Sequence, residues 1–164
     1  MHQLTPSQEN YLEWIFRLSL DGQVRMGDLA SRLGVKAPSA SRAVAGLARL
    51  GLVKHQVYGR IELTPEGERV GRALARRSDC LTRLLVDVLG MDSAAAVPEV
   101  HRLEHVLGRE VHARLEILVE YAGTSPAWVK RLRHRIEQRA DLDDGPESFG
   151  IGRTEIHVGL DRRE

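Results

Sequence analysis

Apolar residues recur at helical spacing along most of this chain and divide it into segments. From Pro6 to about Leu20, Tyr11, Ile15 and Leu18 share one face, joined by Leu12, Trp14 and Phe16 on adjoining positions, which predicts an amphipathic helix. Thr5 precedes it, Pro6 sits in its first turn, and Gln8 lies three residues after Thr5. That is capping-box spacing, with a proline where no helical N–H is lost. Asp21-Gly22 ends the segment. Met26–Arg32 predicts a short second helix whose apolar face holds Met26, Leu29, Ala30 and Leu33. Gly34 marks a tight turn. A third helix starts at Pro38 or Ser39 and runs to Gly51, with Ala40, Val44 and Leu47 as packing positions. The period then changes. Leu52-Val53-Lys54 opens a strand, Tyr58-Gly59 supplies a turn, and Arg60–Thr64 returns as a second strand.

Two helices around a glycine turn, followed by a glycine-tipped hairpin, form a winged helix-turn-helix, a shape that reads duplex DNA. Ser39, Ser41 and Arg42 are the exposed candidates near the N-terminus of the recognition helix. Lys36 before that helix and Arg60 in the wing are candidates for backbone contact. Arg42 has the donors to read guanine O6/N7 or to grip phosphate. Charge adds to this picture. Residues 1–77 carry 12 Lys and Arg against 7 Asp and Glu, a net of +5, while residues 78–164 carry 12 against 16, a net of −4. The near-neutral total hides a basic first half, suited to neutralising phosphates.

The second half reads as helical. Pro65 opens a long helix to about Leu89, broken by Gly90-Met91-Asp92; Pro98 begins another, to about Leu107. Arg109–Tyr121 carries Val111, Leu115, Leu118 and Val119, and Ala127–Arg139 is a basic helix. From Ala140 the composition turns polar and Gly-rich, which predicts weak order or a short hairpin at Thr154–Val158. The expected fold is mainly α: a winged helix-turn-helix domain over 1–72, an all-helical metal-binding and dimerisation domain over 73–140, and a polar tail over 141–164. A Leu-rich helical half of about 60 residues is small for an independent core. Pairing as a homodimer would bury its faces and match palindromic operator DNA.

At 164 residues the chain is long enough for one ordinary domain or two small ones. Only 4% of residues are aromatic, so the core is built of Leu, Val and Ala. No stretch approaches the roughly 20 apolar residues of a membrane span, and the polar start lacks an apolar signal region. A single cysteine, Cys80, excludes an intrachain disulfide and fits a cytoplasmic protein. Neither a membrane nor a small-molecule substrate is an expected partner.

The chemistry concentrates in His101-Arg102-Leu103-Glu104-His105. Positions i, i+3 and i+4 of a helix share a face, so His101, Glu104 and His105 project together. Two imidazoles and a carboxylate suit a divalent first-row metal. The first helix offers Asn10 and Glu13 at i and i+3, and Glu13, charged beside an apolar stripe, needs a partner. His101-Arg102-Leu103-Glu104-His105 also matches H-x-x-E-H, in which two His bind zinc and the Glu activates water. That zinc-hydrolase alternative needs a further ligand and a substrate cleft, and leaves the wing and the basic first half unexplained.

The runs TPSQENYLEWIFRLS, VRMGDLASRLGVKAPSASRAVAGLARLGLV, YGRIELTPEGE and VHRLEHVLG, collinear over roughly residues 4–122, resemble the diphtheria toxin repressor family of metal-dependent regulators. They are closer to its short manganese-transport-regulator branch. The resemblance implies a dimeric repressor in which a metal bridges the first helix and the dimerisation domain. It places Glu13, Glu104 and His105 on metal-binding positions, Asn10 where the family has Asp or Met, and His101 where it has Glu or Cys. Ser78 falls where a ligand His is usual, and Thr82 and Val97 replace ligands of an ancillary site. Oxygen and nitrogen donors without Met or Cys suit Mn(II), the expected cofactor, or Fe(II); Zn(II) or Co(II) would bind at least as tightly in vitro. The alternative within DNA binding is a regulator that needs no metal.

Overall fold

The structure is a computed structural model that describes residues 4–55 and 60–140. The expected Tyr58-Gly59 turn, the polar tail and its Thr154–Val158 hairpin lie outside those residues. Helix α1 spans Pro6–Leu20, and its start follows the local signal: Thr5 accepts from the Gln8 N–H while the Gln8 side chain accepts from the Thr5 N–H. Strand β1 (Val24–Arg25) leads into α2 (Met26–Arg32). Gly34, at φ 63°, makes the turn to α3 (Ala37–Arg49) in a backbone region that suits glycine. Helix α3 begins one residue before Pro38, with Lys36 at its N-cap.

Strands β2 (Val53–His55) and β3 (Arg60–Leu63) pair antiparallel with Val53 opposite Leu63. Strand β1 pairs with the other edge of β3, Val24 opposite Ile61, giving the order β1-β3-β2. A two-residue strand has no period of its own, so only its tertiary partner reveals it. One apolar cluster joins all these elements: Leu12 and Ile15 of α1, Leu29 of α2, and Val44 and Leu47 of α3 are fully buried, beside Val53 and Ile61 of the wing. Each such side chain contributes roughly 1.5–3 kcal/mol of burial, so α1 and the recognition helix move as one body.

Helix α4 (Pro65–Arg83) crosses from this cluster into the second half. Two glycines set its approach. A Cβ on Gly67 would lie 1.8 Å from the Leu52 carbonyl oxygen, and one on Gly71 would lie 2.7 Å from Phe16 Cβ of α1. The helix then widens into a π-helical turn at Leu84–Val88, earlier than the expected end near Leu89. Helix α5 spans Ser93–Val106, α6 Arg109–Thr124 and α7 Pro126–Ala140. Pro98 was the expected start of α5 but lies inside it. Asp92 caps the helix five residues earlier by accepting from the Ala94 and Ala95 N–H groups. The cap supplies the nucleus, and Pro98 forfeits one backbone bond on an exposed turn.

The second half has two small clusters. Leu81, Leu85, Ala96 and Val100 form one; Cys80, Val88, Val119 and Ala122 form the other. Arg133 ties α7 to the π turn by donating to the Val86 and Asp87 carbonyls. Much apolar surface remains outside, including Ile117 at 66% and Tyr121 at 57% exposure on one face of α6.

Candidate metal centre

Three residues of the sequence cluster converge as the helical spacing requires. The ligand atoms of His101, Glu104 and His105 lie within 4.8 Å of one another, the one such group of three or more among the described residues. His101 Nδ1 is 2.9 Å from Glu104 Oε1, and His105 Nε2 is 3.4 Å from the same oxygen. The imidazoles meet edge to face at 5.1 Å. Helix α1 approaches this face and brings a residue that the sequence reading missed. Glu9 Oε2 accepts a hydrogen bond from His105 Nδ1 at 3.0 Å, across 96 residues of sequence. A cavity of about 10 Å³ lies between Glu9, Glu13, Leu74, Arg77, Glu104 and His105, close to the space of a single water-sized occupant.

The signal for Glu9 was present. Glu9 and Glu13 stand at i and i+4 on α1, as much neighbours as Asn10 and Glu13 at i and i+3. Asn10 is half-buried and does not line the small cavity. Glu13 does line it, and is itself 7% exposed. Its expected partner is Arg17, whose Nε donates to Glu13 Oε1 at 2.9 Å. The same guanidinium donates to Asp79 Oδ1 at 2.7 Å and to the Ala75 carbonyl at 3.2 Å. Burial works against the charge on Arg17, but the bonds to Asp79 and Glu13 outweigh it and hold the pKa above its ordinary value.

The electrostatics at Glu104 run the other way. Burial, and after it the nearby charge of Glu13, raise its carboxyl pKa, while the two imidazoles partly offset the rise. His105 Nε2 is buried without a hydrogen-bond partner. In the neutral ring whose Nδ1–H is committed to Glu9, Nε2 carries the lone pair, 3.4 Å from Glu104 Oε1. A cation fits these donors: it would satisfy the orphaned nitrogen and relieve the repulsion between Glu13 and Glu104. His101 is exposed and can join from the rim. The positions where the family resemblance marks missing ligands do not converge on a second group. Thr82 bonds the Ser78 carbonyl, Val97 is exposed, Asp79 is held by Arg17, and Cys80 is buried in the apolar cluster.

The other face is that of the reader. Ala40, Val44 and Leu47 are fully buried, while Ser41, Arg42 and Lys36 are exposed; Ser39 is half-buried and Arg60 is exposed at the start of β3. Trp14 supports α2 from below, with the Arg32 guanidinium 4.2 Å from its ring centroid.

A winged reader joined through α4 to a helical half carrying a His–Glu–His face defines a class of metal-responsive DNA-binding protein. Comparison with known proteins names the family. Residues 3–61 match the model of the iron dependent repressor N-terminal DNA binding domain, and residues 64–132 match that family's metal binding and dimerisation domain. The chain belongs to the iron dependent repressor family. It is 35% identical over 127 residues to the diphtheria toxin repressor of Corynebacterium glutamicum, covering 77% of this chain and 56% of that protein. It is 32% identical over 129 residues to the HTH-type transcriptional regulator MntR of Lysinibacillus sphaericus, covering 78% of this chain and 92% of the relative. A manganese-dependent transcriptional repressor in complex with manganese superposes with a TM-score of 0.62 at 32% identity, over 70% of this chain and 53% of that one. The chain thus spans just over half the length of the Corynebacterium relatives. The family is one of repressors rather than enzymes, and this replaces the zinc-hydrolase reading of H-x-x-E-H.

Proposed function

We propose that this protein is a homodimeric transcriptional repressor that binds palindromic operator DNA when loaded with a divalent metal, Mn(II) or Fe(II), and controls genes of metal-ion homeostasis. One observation carries the reading: a bare, buried His105 Nε2 among carboxylates, on an imidazole that Glu9 of the reader already holds. A bound cation would satisfy that nitrogen and offset the repulsion between Glu13 and Glu104. His105 through Nε2, Glu104, Glu13 and His101 would hold it, with Asn10 within one turn of Glu13. Donors of nitrogen and oxygen alone favour Mn(II) or Fe(II) over a soft-ligand metal.

Glu9 and Glu13 belong to α1, which shares one core with the recognition helix. Holding these carboxylates against α5 therefore fixes α3 relative to the second half. In a two-fold dimer that sets the separation of two recognition helices, and so the fit to two half-sites. The exposed apolar face of α6 provides surface for the partner copy. Ser41 and Arg42 face base edges or phosphates, with Ser39, Lys36 and Arg60 at the margins of the contact. A coupling of about 1–3 kcal/mol between metal and DNA would change occupancy roughly 5- to 150-fold. The test is binding of metal-stripped protein to a genomic fragment pool with Mn(II), Fe(II), Zn(II) or no metal added. Retention only with metal is expected. Equal retention without metal would leave a metal-independent winged-helix regulator.

A further inference from the structure

Helix α7 differs from the helices around it in how its surface charge is met. On α4, Arg69 pairs with Glu66 and Arg72 with Glu68; on α5, Arg102 pairs with Glu99; on α6, Arg114 pairs with Glu110. Each pair spans three or four residues, the spacing at which helical side chains meet. Over Pro126–Ala140, five Lys and Arg stand against one Glu, a net of +4. Arg133 turns inward to the carbonyls of the π turn. Arg131, Arg135 and Arg139 form one row at intervals of four, with Lys130 and His134 in the next, and all five are exposed. His134 meets only Gln138. The four cations have no ion-pair partner among the described residues. Like charges four apart work against a helix, so this row calls for an anionic neighbour.

The matching acid follows directly in the sequence. Residues 141–147 hold Asp141, Asp143, Asp144 and Glu147 without a cation, a net of −4. This segment continues from the last turn of α7 and lies outside the described residues. Carboxylates just beyond a helix C-terminus oppose its dipole, so the helix end itself does not call for them there. Opposite charge within reach does. The row from Arg131 to Arg139 covers about 12 Å at 1.5 Å per residue, and seven residues reach at most about 25 Å. Gly145-Pro146 is a turn dipeptide, placed to bring Glu147 back toward the row. Charge divides the same way over the whole second half. Residues 78–140 carry nine Lys and Arg against nine Asp and Glu, so the net of −4 in that half resides beyond α7.

We propose that residues 141–147 dock along the arginine row of α7 in the same chain, and that this contact keeps the row from gripping DNA phosphates. Cations away from the reader add affinity that every stretch of duplex offers equally, and so they dilute discrimination. Helix α7 packs against α6 and the π turn, at the end of α4 away from the wing. The 19 residues of α4 separate those ends by about 28 Å. Covering the row therefore lowers non-specific binding and leaves the recognition helix untouched. The docking does not depend on the metal reading above.

The test uses the full chain, metal-stripped. A water-soluble carbodiimide joins a lysine amine to a carboxylate in contact with it, and mass spectrometry locates the link. Lys130 is the one lysine of α7, and R135K sets a second amine in the arginine row while keeping its charge. Links from these amines to residues 141–147, lost at high salt, are expected. Mixing isotope-labelled and unlabelled chains shows whether each link lies within one chain. No link in either protein would overturn the docking, and links between chains alone would overturn its placement in the same chain. Binding to a mixed-sequence duplex then reads the effect on DNA. D141N/D143N/D144N/E147Q should bind at least about tenfold more tightly than the parent, with a salt slope steeper by about 2–4. Adding R131Q/R135Q to it should remove most of that gain, whereas R131Q/R135Q in the parent should weaken binding less than about twofold. A gain that survives loss of the arginines would be an effect of total charge and would overturn the cover. Equal losses from R131Q/R135Q with and without the acidic residues would show that the row already meets DNA, which overturns it too.

Discussion

Along one face of α1, Glu9, Glu13 and Arg17 follow at intervals of four, and the two ends of that row meet different surroundings. At the Arg17 end, one guanidinium serves Glu13, Asp79 and the Ala75 carbonyl. At the Glu9 end, Glu104 and two imidazoles crowd together, a ring nitrogen is left bare, and the carboxyl pKa of Glu104 is raised. Both clusters are polar, partly buried and placed between the reader and the second half. One is complete as the chain stands, whereas the other would be completed by the cation proposed above. A polar cluster that satisfies itself fastens helices; one left short of a charge responds to its supply.

The comparison breaks most visibly at His105. His105→Ala should cost more metal affinity than the roughly 10- to 100-fold typical of an outer partner, and should abolish metal-dependent DNA retention. Circular dichroism should remain helical, because the side chain lies outside the apolar clusters. Retained Mn(II) affinity, measured by chelator competition, would remove His105 from the centre. Glu9→Ala should cost about 10- to 100-fold in the same assay if Glu9 orients the ring from outside the metal. Glu9→Gln should fall between it and the parent, since the amide oxygen still accepts from Nδ1–H.

At the other end of the row, Arg17→Ala should destabilise the metal-free protein by about 2 kcal/mol, by leaving the nearly buried Glu13 without its charged donor. Urea denaturation would read this, and saturating Mn(II) should narrow the deficit as Glu13 gains another positive neighbour. An equal deficit with and without metal would exclude Glu13 from the centre. The smallest effect concerns pH. Because folding raises the Glu104 pKa above its ordinary value near 4.5, the folded chain holds that proton more tightly than the unfolded chain. The group therefore favours folding at low pH and penalises it as pH rises through the raised value. Glu104→Gln should make the metal-free protein slightly more stable at pH 7 while lowering its metal affinity. Thermal melts of the two metal-free proteins at pH 4 and pH 7 would show the advantage only at the higher pH.

Local signals in the sequence determined the capped start of α1, the glycine turn before α3, the apolar faces of the reader helices, and the His–Glu–His face of α5. Each depends on neighbours within a few residues, where helical period and capping chemistry act directly. Tertiary structure alone decided the rest. Strand β1 exists because β3 is there to pair with it, and Asp92 starts α5 ahead of the proline. That Glu9 rather than Asn10 meets His105 is decided by how α1 and α5 are set against each other, which no local signal states. Periodicity states which side of a helix a residue occupies; only packing states what stands opposite, and the proposed metal centre depends on what stands opposite.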